Sequence, residues 1–576
     1  MPYPIKYIEN NLVWNIEGAC FAYYELIPFN YSFLSLEQKD AVHDAFRQLI
    51  AQNRDGKIHA LQISTESSIR AAQERSKKSV TGRLKEIACA EIDEQTENLI
   101  ASLGDTQVDY RFFLGFKLVV TDKELSVKEM GKTAKNLLHD AANAIGHSFM
   151  GDFVSMPNDE IRRYSRMEKL MENKLSRRFK VRRLDKNDFG YLLEHIYGRT
   201  GTAYEDFEFT LPLKKRKRDT LVKKYDLIKP ARCLIEEKQR YLHMKSENSE
   251  SYVAYFTISD VVGELDFPSS EIFYYQEQQF DFAIDTSMNV EIITNKAALH
   301  TVRNKKKELK DLDNHAWENN SETTNQVAEA LDSVDELESV LDQSKESMYK
   351  LSYVVRVTAP DVEELKRRCN QVRDFYDDAS IKLVRPIGDM MGLHNEFIPA
   401  SKRYMNDYVQ YVTSDFLAGL GFGATQMLGE RDGIYLGYNV DTDQNVYVQP
   451  ARAAQGVKGS VTNALSGAFL GSLGGGKSLS FNLLTYYAVL NGAQALILDP
   501  KSERGLWKEK LPEIADEINI VNLTSDEENK GMLDPYIIMR KTKDAESLRS
   551  MYSLFLPAFP RVTASCSLSC VGRCVP

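Results

Sequence analysis

The clearest chemical signal in the sequence is a run of eight residues, Gly471 to Ser478. It matches the pattern G-x-x-x-x-G-K-[ST] in full. Glycines let the backbone bend so that successive N–H groups point at phosphate oxygens, and Lys477 adds a cation there. A hydroxyl at Ser478 is the ligand type that holds Mg²⁺ beside bound phosphates. The pattern predicts a nucleotide-phosphate site formed by Gly471, Ser472, Leu473, Gly474, Gly475, Gly476, Lys477, Ser478 and Leu479.

Such a loop requires a strand before it and a helix after it. The apolar residues of 464–470 predict the strand. The sequence from Ser478 to about Leu490 predicts the helix, whose N-terminal dipole would face the phosphates. Gly492 is expected just after the helix, at the C′ position.

A second apolar run, 495–499, ends in Asp499, which lies 22 residues after Lys477. One interpretation is a carboxylate that holds Mg²⁺ through water. The other is a strand-end residue that organises the nucleotide pocket. The residue after Asp499 is proline rather than glutamate, and the sequence therefore favours the second interpretation.

Asp499-Pro500-Lys501-Ser502-Glu503 resembles the Asp-Pro-Lys-Gly-Glu pattern of the ATPases of conjugative transfer and type IV secretion, with Ser502 in place of glycine. These ATPases belong to the HerA/FtsK branch of P-loop motors. Residues 432–438, 4–12 and 23–26 are similar to the ATP-binding proteins of conjugative transposons in Gram-positive bacteria. The resemblance covers residues 1 to about 556.

The resemblance implies an ATP-binding motor subunit that uses Mg²⁺ and energises assembly of, or transfer through, a DNA-transfer channel. It implies a cytoplasmic protein on the inner face of the cell membrane, with channel proteins and copies of itself, often six, as partners. Two alternatives stay open: a nucleotide-binding scaffold that does not hydrolyse ATP, and an FtsK/HerA-like DNA translocase. Direct DNA binding is left open.

The chain reads as mixed α/β. Strands interleaved with helices over 1–430 predict a large α+β region. The resemblance implies that this region docks on the membrane or channel. Within it, the polar, charge-dense stretch 296–350 predicts a projecting helical hairpin, either a partner-contact arm or a solvated insertion. Residues 431–556 are expected to form an incomplete RecA-like P-loop domain. A disordered or frame-shifted tail is expected over 557–576.

The expectation of an incomplete domain rests on the residues after the loop. A RecA-like core needs a later apolar strand that ends in Asp-Glu, and the sequence after Asp499 has only a strand-like run at 518–523 and a helical run at 544–556. We therefore expect a motor cut off inside its catalytic domain and assign no catalytic residue. The tail cysteines Cys566, Cys570 and Cys574 are expected to bind no ligand.

Composition narrows the class of protein. The chain has 73 basic and 83 acidic residues, a net charge of −10, which excludes a protein that coats nucleic acid through bulk charge. Two basic runs, 177–183 and 214–218, stand out. They fit contact with anionic membrane, contact with nucleic-acid backbone, or exposed loops with no ligand.

No apolar stretch reaches the length of a membrane span, and residues 1–11 lack the apolar core of a signal peptide. Four of the seven cysteines are far apart in the sequence, which is typical of reduced cytosolic proteins. We therefore expect a cytoplasmic location.

Overall fold

The computed structural model describes residues 3–53, 56–104, 106–119, 158–198, 204, 207–209, 222–223, 227, 231–246, 249–261, 267–318, 325–442, 444–450, 466–499, 502–521 and 543–547. The chain divides into two units, Met1–Gln494 and Ala495–Pro576. The predicted tail 557–576 and the basic run 214–218 lie outside the described residues.

The strands found among the described residues lie in the first unit. They are β1 Ile5–Glu9, β2 Leu12–Asn15, β3 Cys20–Leu26, β4 Phe29–Asn30, β5 Lys57–Ser68, β6 Thr106–Lys117, β7 Val181–Arg183, β8 Val222–Lys223, β9 Leu234–Glu237, β10 Leu242–Lys245, β11 Glu250–Val261, β12 Ile284–Ile293, β13 Met348–Ala359, β14 Ile381–Val384, β15 Gln410–Val412, β16 Ala424–Thr425, β17 Ile434–Tyr438 and β18 Asn445–Val448.

The helices of this unit are α1 Leu36–Ala51, α2 Ile69–Ser79, α3 Lys85–Leu103, α4 Asn158–Ser176, α5 Lys186–Gly198, α6 Ile272–Gln279, α7 Asn295–Glu318, α8 Asn325–Ser344, α9 Val362–Asp378, α10 Met390–Asn395, α11 Ser414–Gly419 and α12 Lys477–Leu490. The second unit has α13, Trp507–Lys510, a 3₁₀ helix, Pro512–Glu517, and a helical segment at 543–547. The prediction of mixed α and β structure is confirmed.

Within the described ranges, fourteen strands form one antiparallel sheet. Its main order is β8-β1-β2-β3-β6-β5-β12-β13-β11-β10-β9, and β7, β14 and β15 pair with β3, β11 and β13. Antiparallel pairing suits an α+β region, because antiparallel strands need no helical crossover.

The sheet contains the same topology twice. Inward from β8 it reads β1-β2-β3-β6-β5, and inward from the other end it reads β9-β10-β11-β13-β12. In each half, two helices connect the last two of these strands: α2 and α3 lie between β5 and β6, and α7 and α8 lie between β12 and β13. A later helix, α4 or α9, leads to a short strand, β7 or β14, which pairs with the third strand of its half. The two halves meet where β5 pairs with β12, with Met288 opposite Ala60.

Both faces of the sheet are covered, because neighbouring residues of each strand point to opposite sides. Tyr24, Phe112 and Val355 join one apolar core with α1 and α9. Tyr23, Phe113 and Val354 join the other core, with α5 and the segment around α10. Consecutive residues of β3 and most of those of β13 are therefore buried, rather than every second one.

Local signals in the sequence predict several of these elements correctly. β2 and β3 pair across Gly18, whose φ is 83°. Helix α1 begins with a capping box, a pattern that Ser35 and Gln38 show in the sequence, and the two residues bond to each other's backbone N–H.

Within the predicted hairpin region 296–350, the structure has the helices α7 and α8. They contact each other through Arg303 and Lys306, which both pair with Glu338. The corresponding pair in the first half is α2 and α3. The projection of α7 and α8 toward a partner stays a prediction.

Two residues of the basic run 177–183 form internal ion pairs. Arg182 lies 2.6 Å from the buried carboxylate of Glu25 and 2.9 Å from that of Asp188. Arg183 pairs with Glu168 at 2.8 Å. These two arginines hold β7 against its surroundings, which corrects any reading of them as free surface cations.

A buried polar network fixes the α10 segment on the sheet. His59 Nε2 lies 3.0 Å from the carbonyl oxygen of Glu396, which can only accept, so this nitrogen carries the proton. His59 Nδ1 therefore accepts from the Tyr23 hydroxyl at 2.8 Å, and that hydroxyl accepts from the N–H of Ala400. Burial lowers the pKa of His59 to about 4.

Residues 424–448 connect the sheet to the segment that comes after it in the chain. β16 pairs with β4, and Arg431 Nε lies 2.5 Å from Asp109 Oδ2 on β6. The Gly433 N–H donates to the Ser76 hydroxyl on α2 at 2.9 Å. The β17–β18 hairpin is thus held on the first half of the sheet.

None of the helices in the described part of the chain combines the length and apolar character of a membrane span.

The neutral state of His59 gives a testable pH dependence. The folded protein keeps this ring neutral down to about pH 4, whereas the unfolded chain binds a proton below about pH 6.5. Acidification through this interval therefore favours unfolding, by up to about 1.4 kcal/mol per pH unit. Urea unfolding followed by circular dichroism should show a steeper loss of stability in the unmodified protein than in His59→Gln. His300→Gln, at an exposed histidine, is the control. If the free energy of unfolding falls equally with pH in all three proteins, His59 is not the neutral group responsible.

Candidate functional site

The predicted phosphate-binding loop lies at the start of α12. Residues 466–476 have no regular secondary structure, and the helix begins at Lys477 with Gly476 at its N-cap. Gly474 and Gly476 have φ values of 79° and 78°. Because L-residues with side chains rarely adopt these angles, the backbone requires glycine at both positions, of which Gly476 is also fixed by the pattern.

Lys477 folds back over the loop. Its Nζ donates to the carbonyl oxygen of Gly471 at 2.8 Å and to that of Ser472 at 2.5 Å. A Cβ built on Gly471 would lie 3.3 Å from Lys477 Cγ, so the lysine side chain passes close to this residue. The ammonium group is therefore held at the centre of the loop by weak carbonyl partners that a phosphate could replace.

The loop is open to solvent. Residues 471–476, Ser478 and Leu479 are exposed, and Lys477 is half-buried. The structure therefore brings Gly471 to Leu479 together as one accessible turn with its lysine and hydroxyl at the helix start. The assignment of these nine residues to a bound nucleotide stays a prediction.

The far end of α12 is anchored in the first unit. Gly492 occupies the predicted C′ position with φ 97°. The N–H groups of Gly492 and Ala493 donate to the carbonyl oxygens of Val489 and Ala488, respectively. Tyr487 donates to Glu91 on α3 at 3.4 Å, and Gly492 packs on Thr81 between α2 and α3. Sequence reasoning missed this contact, since no local pattern relates residues so far apart in the chain.

Asp499 belongs to the second unit. Its Oδ2 accepts the N–H of Arg504 at 2.9 Å, and its Oδ1 lies 3.3 Å from Arg504 Nη1. The Asp499 carboxylate is thus bound by a residue five positions later, a local pairing that its sequence context did not predict. Neither role considered for Asp499, at Mg²⁺ or in organising the pocket, is tested by this geometry.

Three predicted strands are wrong for the described residues: 466–470, 495–499 and 518–521 contain no strand. Leu470, Leu496 and Leu498 are 89%, 90% and 82% exposed. A strand is stable only beside another strand that takes up its N–H and C=O groups, and none of these three segments pairs with a described strand. The RecA-like arrangement therefore stays a prediction.

Comparison with known proteins identifies the segment that contains the loop. Residues 444–561 match the sequence model of the AAA-like domain, which belongs to the FtsK/HerA-like family of P-loop ATPases. The chain carries an AAA-like domain. This domain supports nucleotide binding, generally with a metal ion, and a nucleotide-driven motor in general.

A relative extends the similarity beyond the boundaries of the matched segment. The uncharacterized protein YddE of Bacillus subtilis (strain 168) is 20% identical over 582 residues, which cover 95% of this chain and 67% of that protein. The similarity therefore includes the N-terminal sheet as well as the AAA-like domain.

The anchoring of α12 can be tested at Gly492. An alanine Cβ there would lie 2.5 Å from the Thr81 carbonyl oxygen, in addition to the strain of a positive φ. Gly18, with φ 83°, has nothing within 4 Å of such a Cβ. Both alanine variants should lose about 1–2 kcal/mol of stability from backbone strain. Gly492→Ala should lose a further ~1–3 kcal/mol from the clash. Equal losses in urea unfolding would show that α12 does not rest on the α2–α3 turn.

Proposed function

We propose that this chain is an ATP-binding motor subunit of a conjugative DNA-transfer apparatus of the type IV secretion class. It would energise channel assembly or substrate transfer. The observation that supports this proposal is the loop 471–478, with its two positive-φ glycines and inward lysine, inside an AAA-like domain. The finer assignment to conjugation rests on the resemblance of residues 499–503 to the conjugative ATPases.

The loop residues fit the phosphates of ATP. Backbone N–H groups of 474–478 would bind phosphate oxygens, and Lys477 would exchange the carbonyls of Gly471 and Ser472 for the β- and γ-phosphates. The exchange is favourable because a charged acceptor binds an ammonium group more strongly than a neutral carbonyl does. Ser478, exposed at the helix start, would offer its hydroxyl to Mg²⁺, which neutralises phosphate charge when bound.

The proposal includes partners and a location. The subunit would act as a homo-oligomer, such as a hexamer, on the cytoplasmic face of the cell membrane, in contact with channel proteins. The polar helices α7 and α8 are the proposed contact arm. The outermost strands, β8 and β9, lie at opposite ends of the sheet and provide further edges.

A nucleotide-binding scaffold is the second candidate. The observation that favours it is the pairing of Asp499 with Arg504, which occupies the carboxylate nearest in sequence to the loop. A scaffold of this kind would bind ATP without turnover.

Lys477→Ala should weaken ATP binding by at least about tenfold, since a hydrogen bond to a charged group contributes about 1.5–3 kcal/mol. Equilibrium dialysis with labelled ATP measures the binding, and phosphate release with and without DNA measures turnover. The exposed Lys508→Ala is the matched control. Turnover stimulated by DNA supports a translocase, binding without turnover supports a scaffold, and equal binding by both variants contradicts the assignment of the loop.

Ser478→Ala should abolish the gain in ATP affinity that Mg²⁺ provides, while affinity without Mg²⁺ changes little. The reason is that the variant loses a metal ligand but none of the loop's N–H groups. Ser480→Ala is the control, because the Ser480 hydroxyl already donates to the Gly476 carbonyl. If both variants respond to Mg²⁺ like the unmodified protein, Ser478 is not the metal ligand.

A further inference from the structure

An open cavity of about 600 Å³ lies beside the β9–β10 turn, at the end of the second half of the sheet. The turn residues 237–241 form one wall, the first turn of α9 forms the second, and Arg385, just after β14, forms the third. Its volume falls within the range of small-molecule sites in proteins. This cavity is separate from the loop 471–478.

The walls of the cavity are strongly cationic. Lys238, Arg240, Lys366 and Arg385 line it, against a single carboxylate, Glu237. Glu237 already accepts the N–H of Met391 at 3.2 Å. Such an excess of positive charge stands out in a chain with a net charge of −10.

Three of these four cations keep their charge uncompensated. Lys238 pairs with Glu236 at 3.0 Å. Arg240 and Lys366 are exposed and have no ion pair with any described residue. The Arg385 guanidinium reaches the Cys369 thiol at 3.4 Å and, across the described part of the chain, no carboxylate.

Arginines outside the cavity differ from one another in this respect: Arg373 of α9 contacts the side-chain oxygen of Asn370, whereas others pair with carboxylates. On the same helix, Arg367 and Arg368 both lie 2.7 Å from Glu364. In the first half of the sheet, Arg183 of β7 pairs with a buried glutamate, Glu168. Arg385 comes just after the corresponding strand β14, yet faces a neutral thiol. No described carboxylate pairs with Arg385, whereas the paired arginines of α9 and β7 have such partners.

The floor of the cavity has a different character. Leu365 is buried, and Tyr241 is half-buried with its ring 6.0 Å from that of Tyr252. A cationic rim over an aromatic and aliphatic floor suits a molecule with an anionic group at one end and an apolar or planar group at the other. Arginine favours phosphate in particular, because its planar fork can donate two parallel hydrogen bonds to phosphate oxygens.

We propose that this cavity binds a small phosphorylated ligand of nucleotide size. Arg240, Lys366 and Arg385 hold the phosphate, and the organic part packs against Tyr241. The site is independent of the proposed function, since none of its residues belongs to the loop 471–478.

The test uses the full chain with Lys477→Ala, so that the loop does not contribute, and adenosine monophosphate as the probe in equilibrium dialysis. We expect saturable binding that inorganic phosphate displaces and that weakens with salt. Arg240→Gln and Lys366→Gln should each weaken binding about tenfold, or about 1.4 kcal/mol. Arg373→Gln is the matched control, an exposed arginine on α9 outside the cavity. Tyr241→Leu should lower the affinity for adenosine monophosphate more than it lowers the affinity for inorganic phosphate, which is measured by displacement.

Three results would overturn the proposal. They are the absence of saturable binding, equal binding by the cavity variants and the Arg373→Gln control, and binding of oligonucleotides or anionic vesicles without binding of the mononucleotide. Because the substituted side chains at 240 and 366 are exposed, the variants should fold normally. Matching circular dichroism melting curves check this.

Discussion

The buried carboxylate of Asp285 is the interaction on which the N-terminal sheet depends. It lies on β12, at the seam between the two repeated halves, and an unpaired charge there would be strongly destabilising. Burial opposes its ionisation, but His195 and Arg356 outweigh this and hold its pKa well below the usual range. Ser64 adds a 2.6 Å hydrogen bond from β5. His195 and Ser64 come from the first half and Arg356 from the second, so this charge is satisfied only when both halves fold together.

The same seam shows what the sequence could and could not predict. Turns, caps and single helices depend on neighbours in the chain, and for this reason the Gly18 hairpin, the Ser35 capping box and the Gly492 helix end were predictable. The pairing of β5 with β12 joins residues more than 220 positions apart. Hydrophobic periodicity predicts where such strands lie in the sequence but not which strands pair. The repeated topology could therefore not be predicted from the sequence.

The same difference between local and long-range features applies to the candidate nucleotide site. The loop geometry arises from glycines at fixed positions and from one lysine, all within eight residues, so the pattern alone sufficed to predict it. The strands at 466–470 and 495–499 depend on a sheet edge that their own sequence does not contain. Asp499 likewise finds its partner, Arg504, through a local turn, and this competes with the strand end that its apolar run predicts.

The anchoring of α12 connects the candidate site to the sheet. The loop end of the helix is exposed, whereas its other end is fixed to the α2–α3 turn of the first repeat through Thr81 and Glu91. Arg431 and Gly433 attach the preceding hairpin to the same repeat. A rearrangement of the loop around phosphate would thus act on a helix whose far end rests on the first half of the sheet. Since Asp285 ties that half to the second, α12 is connected through the first half to the rest of the sheet.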